Sequence, residues 1–303
     1  MRVVVLAGGT GGAMLAQGFH EVLEPGALGV ICNTADDIRW HGLLVSPDVD
    51  AVLYRLAGIF DEERRFGIAG DTFTVMAQLE SLGAETWFRL GDRDLAICVH
   101  RTASIGAGST LSEAVAELCK RFGIRSTVLP MSDITVKTLL TTDRGEREIQ
   151  QWLVRDHQEP AVLGVRLDPA EPTPAPGAIE LIAGADLVVI GPSNPAISIE
   201  PILATLGDRL QPDRTLAVTP IVAGKALKGP TIEMLRTLGR EATAVGVAAG
   251  YARYAGRFVL DVRDAHEAGA IRALGYADVA PLDTVMGGAD GRRRLARDIL
   301  GLG

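Results

Sequence analysis

Cysteine, aromatic residues, positive charge and long apolar runs are all scarce in this chain, and each shortage removes a class of protein. The 303 residues include three cysteines, Cys32, Cys98 and Cys119, with neither paired nor metal-ligand spacing. A disulfide scaffold and a thiolate metal centre are therefore not expected. Cys32 lies in an apolar run and reads as a small core residue. The 5 histidines show no ligand spacing, so a zinc site is not expected. No apolar run approaches the ~20 residues that span a bilayer. The first one is too short for a secretory leader and ends in glycines, so a cytoplasmic location is expected. A formal charge of −8 argues against a nucleic-acid surface, which needs concentrated Lys and Arg. The exception, Arg292-Arg293-Arg294, reads as the solvated face of a C-terminal helix. Aromatics make up 5% of the chain.

What is there is a core. Hydrophobic content of 47% excludes disorder, and 303 residues suffice for one large α/β domain or a domain carrying an insertion. Residues 2–7 form a continuous apolar run, as in a parallel strand buried on both faces. Glycines 8–12 turn the chain into helical spacing over 13–23, and 28–32 supply a second strand, completing a βαβ unit. From 47 to 123 the character changes: 49–56, 72–82, 92–104 and 111–122 all carry apolar residues at i, i+3 and i+4. Strand signal returns at 126–129, and 135–142 with 146–154 suggest a hairpin around Asp143-Arg144-Gly145, with 161–166 a further strand. The proline-rich stretch 168–177 reads as an irregular connection. Strands are then expected at 186–190, 215–219, 257–261 and 278–281, with helices at 199–206, 231–238, 243–254, 264–274 and 291–300. The fold class is α/β: a Rossmann-like parallel sheet with helices on both faces, built from 1–46 and 124–303, plus a mainly helical insertion at 47–123.

Two stretches carry chemistry. The first is AGGTGGA at 7–13, directly after the first strand. Glycines let backbone N–H groups approach an anion, and the helix that follows adds a partial positive charge. The dinucleotide fingerprint is incomplete, because Gly9-Thr10-Gly11-Gly12-Ala13 is followed by Met14, and no Walker lysine is present. The loop is a generic phosphate cradle or simply a tight strand-to-helix turn. The second is NTADDIRWHGLLVSPDVD at 33–50, which gathers Asp36, Asp37, Asp48 and Asp50. Asp36 and Asp37 follow a strand, at the edge where α/β sheets bind ligands. Mg²⁺ takes one or two carboxylates plus phosphate oxygens and water. Asp48 and Asp50 open a helix, where aspartate also serves as a cap.

The blocks GGTGG, NTADD, WHG, SPDVD, WFRLGDRDLA, IGPSNPAISI and PIVAGKALKGP occur in that order and extend from the first strand well into the last third of the chain. Together they closely resemble the phospholactate (or phosphoenolpyruvate) transferases of coenzyme F-420 biosynthesis. That family transfers a phosphoryl-linked three-carbon acid from a guanosine diphosphate ester to the ribityl hydroxyl of the deazaflavin Fo. It requires Mg²⁺ and releases GMP. The resemblance implies Asp50 and Arg89 at the acceptor, with His41 beside them, and Asp36 and Asp50 at the metal and the chemistry. It implies nucleotide contacts from Gly9, Thr10, Gly11, Gly12, Asn33, Ser193, Asn194 and Lys225, with Lys228 a further phosphate candidate. Residues 1–46 and 124–303 would bind the donor, 47–123 would border the deazaflavin, with Trp87 and Phe88 as edges or core, and the protein would be a homodimer. Two other readings compete. A non-catalytic nucleotide-sugar-binding regulator of the same superfamily shares the glycine loop and acidic segment but fits WFRLGDRD and SPDVD less well. A dinucleotide oxidoreductase would carry the full fingerprint and a single acidic ribose ligand.

Overall fold

Seven runs dominated by Val, Ile, Leu and Ala become the strands of one parallel sheet in the computed structural model, which describes residues 1–227 and 229–302. Across the sheet the order is Asp278–Leu282, Arg257–Asp261, Thr215–Val218, Leu187–Ile190, Val3–Ala7, Leu28–Cys32 and Thr127–Pro130. Every neighbouring pair is parallel. The continuous apolar runs reflect burial on both faces. Val4 and Leu6 belong to one core cluster, and Val3, Val5 and Ala7 to the other, as the two-residue period of a strand requires. Helices Gly9–Val22, Pro47–Leu56, Leu111–Arg121 and Gly288–Leu300 cover one face. Pro176–Ala183, Glu200–Leu206, Ala244–Tyr251 and Ala268–Ala273 cover the other.

The strand order reverses between Val3–Ala7 and Leu187–Ile190, so the loops leaving these two strands diverge at a switch point. Those loops are the glycine run and the GPSNPAISI segment. They meet backbone to backbone: a Cβ on Gly11 would lie 1.9 Å from the Pro192 carbonyl oxygen. Only glycine permits that approach.

The helix-rich region consists of Pro47–Leu56, Thr74–Ser81, Asp92–Gly106 and Leu111–Arg121. Its caps are exchanged between helices. Asp92 accepts from the Thr74 and Val75 N–H groups at 3.0 and 2.9 Å, while Asp71 accepts from Arg93 and Asp94 N–H at 2.9 and 3.1 Å. Each aspartate thereby satisfies orphan donors of the other's helix. Thr110 and Glu113 close a capping box on Leu111–Arg121.

Four local differences from the sequence expectation have physical causes. Strands Lys137–Thr142 and Gly145–Glu148 form the expected hairpin, but the second ends early and turns into Gln151–Arg155. There Trp152 is buried and its indole N–H donates to the Pro160 carbonyl at 2.8 Å, while Val162–Asp168 pairs along the hairpin's free edge. The proline-rich stretch contains the start of helix Pro176–Ala183, with Pro176 where a missing N–H is harmless. The helix expected at 264–274 divides into Val262–Glu267, a tighter turn, and Ala268–Ala273. Within the acidic segment, Ile38–Trp40 and Leu43–Val45 pair as a hairpin over His41 and Gly42, both at positive φ. Among the described residues, no helix is long and apolar enough to cross a membrane.

Candidate functional site

Helix Gly9–Val22 begins inside the glycine run, so the loop is itself the first helical turn. The Gly12 N–H donates to Ser193 Oγ at 2.8 Å, and Asn194 Oδ1 accepts from the Ala196 N–H at 3.0 Å. The first bond ties the two loops to each other, and the second caps the turn at 195–199 within its own loop. A cleft of about 720 Å³ opens above them at the carboxyl edge of the sheet. Its walls include Gly9, Thr10, Gly11, Ser193, Asn194 and Ser198.

Two buried carboxylates, Asp36 and Asp48, reach the cleft beside the glycine turn. Burial pushes the Asp36 carboxyl well above the usual range, and the Asp48 charge adds to that. Burial likewise raises Asp48 to about 6, against hydrogen bonds from Asn33 and the Gly9 backbone that favour its anion. Asn33 Nδ2 donates to Asp48 Oδ2 at 3.0 Å and to the Ile197 carbonyl at 3.4 Å, and its Oδ1 accepts from Ala35 N–H. Asn33 thus ties the second strand to both walls and has no polar atom left over. Asp36 Oδ1 is buried without a partner. A buried carboxyl oxygen without a partner is costly, and a hard cation beside a phosphate cradle would both satisfy it and favour the anion that burial opposes. The all-oxygen pair Asp36 and Asp48 therefore fits Mg²⁺.

Asp50 lies elsewhere. It shares helix Pro47–Leu56 with Asp48, but two residues' separation on a helix turns their side chains to nearly opposite sides. Asp50 and Tyr54, one turn apart, meet Asp94, Cys98 and Arg101 on helix Asp92–Gly106. Arg101 is fully buried and grips both Asp50 oxygens, through Nη1 at 3.2 Å and through Nη2. The Tyr54 hydroxyl donates to Asp94 Oδ1 at 2.5 Å. Burial, then the Asp50 charge, raises Asp94 to about 7. Removing one partner of such a buried pair costs about 3–5 kcal/mol. Asp50, Asp94 and Cys98 bring ligand atoms within 4.8 Å of one another, close enough to share a metal ion. Burial, first, and the Asp50 charge hold the Cys98 thiol protonated, and Arg101 already neutralises Asp50. Those conditions suit Mg²⁺ less well than the cleft pair does.

The remaining sequence candidates are dispersed. Arg89 is exposed, with its guanidinium 4.9 Å from the Phe73 ring centroid. His41 Nε2 is 2.9 Å from the Glu85 carbonyl oxygen, and its ring lies 4.6 Å from Trp40. Trp87 packs edge-on with both Trp40 and Phe88 in a small separate core cluster. Neither His41 nor Arg89 lines the cleft, and nor does Lys225, which is exposed on the short hairpin Ile221–Val222 and Lys225–Ala226. Lys228 lies outside the described residues.

Sequence reasoning missed four charged groups in the cleft wall: Arg55, Glu62, Arg65 and Arg292. Arg292 stands in the triple-arginine run read above as solvated, yet it is 6% exposed. Helix Gly288–Leu300 crosses Gly9–Val22 so closely that a Cβ on Gly18 would lie 2.3 Å from the Arg292 carbonyl oxygen. A glycine on the inner face of the first helix was the available signal. Arg55 had none beyond a helical position.

Comparison with known proteins bears on what binds here. The model of the family described as 2-phospho-L-lactate transferase CofD matches residues 3–273. A 2-phospho-L-lactate transferase of Methanothermobacter thermautotrophicus is 38% identical, covering 99% of this chain and 97% of its own. A phosphoenolpyruvate transferase of Kitasatospora aureofaciens is 37% identical, covering 100% and 98%. Among solved structures, a Bacillus halodurans protein of the UPF0052 family aligns over 99% of this chain and 98% of its own with a TM-score of 0.63. At 16% identity it speaks for the fold alone. The match along nearly the whole length shows that this chain is a transferase and belongs to the 2-phospho-L-lactate transferase family.

Proposed function

We propose that the protein transfers a phospho-lactyl or phosphoenolpyruvyl group from a guanosine diphosphate ester to the ribityl hydroxyl of Fo, releasing GMP, in coenzyme F-420 biosynthesis. The observation that carries this reading is 38% identity over 99% of the chain to a named transferase of that kind. The hydroxyl oxygen forms a bond to the phosphorus bearing the three-carbon acid and gives up its proton to water or to the departing phosphate, while the bridging phosphorus–oxygen bond breaks and GMP leaves with its electron pair. Such a step needs in-line positioning and charge neutralisation more than covalent help. The close backbone approach that the glycine run permits, with the positive end of helix Gly9–Val22, orients the diphosphate. Asp36 and Asp48 would hold Mg²⁺, which, when bound, offsets negative charge on the diphosphate. Ser193 keeps the opposite loop in register with the glycine turn, and Asn194 shapes that loop by capping residues 195–199. Asp50, with both oxygens on Arg101, acts as a positioning residue: it anchors helix Pro47–Leu56 and so the direction of Asp48. Arg89, exposed on the helix-rich region at 47–123, is assigned to the acceptor.

The two named relatives differ in donor acid and are almost equally similar to this chain. The test is therefore product mass spectrometry with Fo offered the lactyl, phosphoenolpyruvyl and glyceryl guanosine donors in competition, with Mg²⁺ or with excess chelator. One dominant acid adduct of Fo plus GMP, abolished by chelator, is expected. No adduct from any donor would sink the transfer reading. Undiminished product in chelator would sink the metal assignment alone.

A further inference from the structure

Among the described residues, the charged side chains lining the cleft are three carboxylates, Asp36, Asp48 and Glu62, and three arginines, Arg55, Arg65 and Arg292. Two of the carboxylates sit together beside Asn33 and the glycine turn, as described. Arg55 and Arg292 meet at Glu62. Arg55 Nη1 and Arg292 Nη1 lie 3.0 and 2.9 Å from the same oxygen, Glu62 Oε1. The two arginine side chains are 2% and 7% exposed, whereas that of Glu62 is 55% exposed. Both Nε atoms are buried without a partner. Behind Arg55, the Phe60 ring lies 3.8 Å from the guanidinium carbon, and Gln17 Oε1 is 3.4 Å from Nη1. Burial lowers the Arg55 pKa even against the pull of Glu62. Two buried guanidiniums thus share one half-exposed carboxylate, and Arg65, exposed in the wall of the same cleft, has no side-chain partner among the described residues. Positive charge is left uncompensated, on groups whose planar donors suit oxyanions.

We propose that Arg55 and Arg292, with Arg65 at the rim, form an anion subsite that takes a terminal oxyanion of the donor, and that Glu62 holds the guanidiniums in register as an internal stand-in until the donor arrives. This rests on the functional reading above and deepens it by assigning a recognition element for the donor's charged end. The oxyanion is either a phosphate of the diphosphate or the carboxylate of the three-carbon acid. Both present the same chemistry to a guanidinium pair.

The probe is inorganic pyrophosphate, titrated calorimetrically into the metal-free protein, with guanosine as the uncharged control and GDP and the full lactyl donor as further arms. Arg292→Gln is expected to weaken an anionic ligand by about tenfold or more, the loss of a charge-assisted hydrogen bond, and to leave guanosine binding unchanged. Arg292→Lys recovers part of the loss, and Glu62→Gln tightens anion binding by removing the internal competitor. Equal weakening of pyrophosphate, GDP and the full donor identifies a phosphate as the bound group. Weakening of the full donor alone identifies the carboxylate. Equal loss of guanosine and anions, or no loss of any, would overturn the subsite and leave the triad a pin between the loop at 57–70 and the last helix. Because pyrophosphate binding needs no turnover, failure of transfer to Fo would sink the functional reading and leave this comparison standing.

Discussion

Asp48 shows how surroundings decide what a carboxylate does. As a residue two places into a helix it looks like a cap, yet its side chain meets Asn33 and faces the cleft. Burial raises it from 3.8 to about 6. Between those values the native protein keeps a proton that the unfolded chain releases, so this contribution to stability is fully present below about pH 4 and is lost as pH rises to about 6. About two pH units correspond to about 3 kcal/mol. Asp48→Asn preserves an oxygen for the Asn33 amide and removes the titration. Urea midpoints of the metal-free protein at about pH 4 and about pH 7 should therefore lie closer together in the variant than in the parent. An unchanged difference would mean that Asp48 is already ionised at acid pH. Asp36 is shifted the same way, so part of the slope persists in the single variant.

At the scale of elements, the crossing of helices Gly9–Val22 and Gly288–Leu300 decides where Arg292 points. Gly18→Ala tests it. The new methyl would stand 2.3 Å from a backbone oxygen, which has no rotamer to yield, so one helix must move. Such overpacking costs about 1–3 kcal/mol, against a gain of about 1 kcal/mol from alanine's helix propensity. A net loss in denaturant midpoint is expected, and a more stable variant would show that the helices are not in contact there. The same crossing explains what could and could not be read beforehand. The five inner strands of the main sheet were legible because burial on both faces leaves a nearly unbroken apolar run, the two edge strands because they continue the strand–helix rhythm, and the helices at 47–123 because their apolar residues recur at helical spacing. The hairpin Ile38–Trp40 and Leu43–Val45 was hidden by its three-residue strands, although a His-Gly turn between Ile-Arg-Trp and Leu-Leu-Val marks it. Which of Arg292, Arg293 and Arg294 turns inward depends on a distant glycine. Which of Asp48 and Asp50 meets the cleft depends on Arg101, fifty-one residues away from Asp50. Pairings over such distances leave no local pattern.

Across the whole molecule, a chain with a net charge of −8 keeps three arginines in one cleft and sets them apart from two buried carboxylates. An acidic pole suits a cation, and a basic pole suits an anion. A diphosphate that spans them touches both, so the two ligands must help each other bind. Mg²⁺ relieves the repulsion between the diphosphate and Asp36 and Asp48, while the diphosphate supplies oxygens that two carboxylates alone do not. Linkage then demands reciprocity: the factor by which Mg²⁺ raises the affinity for GDP must equal the factor by which GDP raises the affinity for Mg²⁺. A factor of about 10–100 is expected, within the usual range of coupling free energies. GDP serves as the donor probe because it carries no acid to transfer. Calorimetric titrations run in both orders measure the two factors independently. Equal factors well above one are the expected result. If Mg²⁺ left GDP affinity unchanged, the acidic pair and the guanidiniums would not share a ligand, and the cleft would hold two separate sites instead of one divided one.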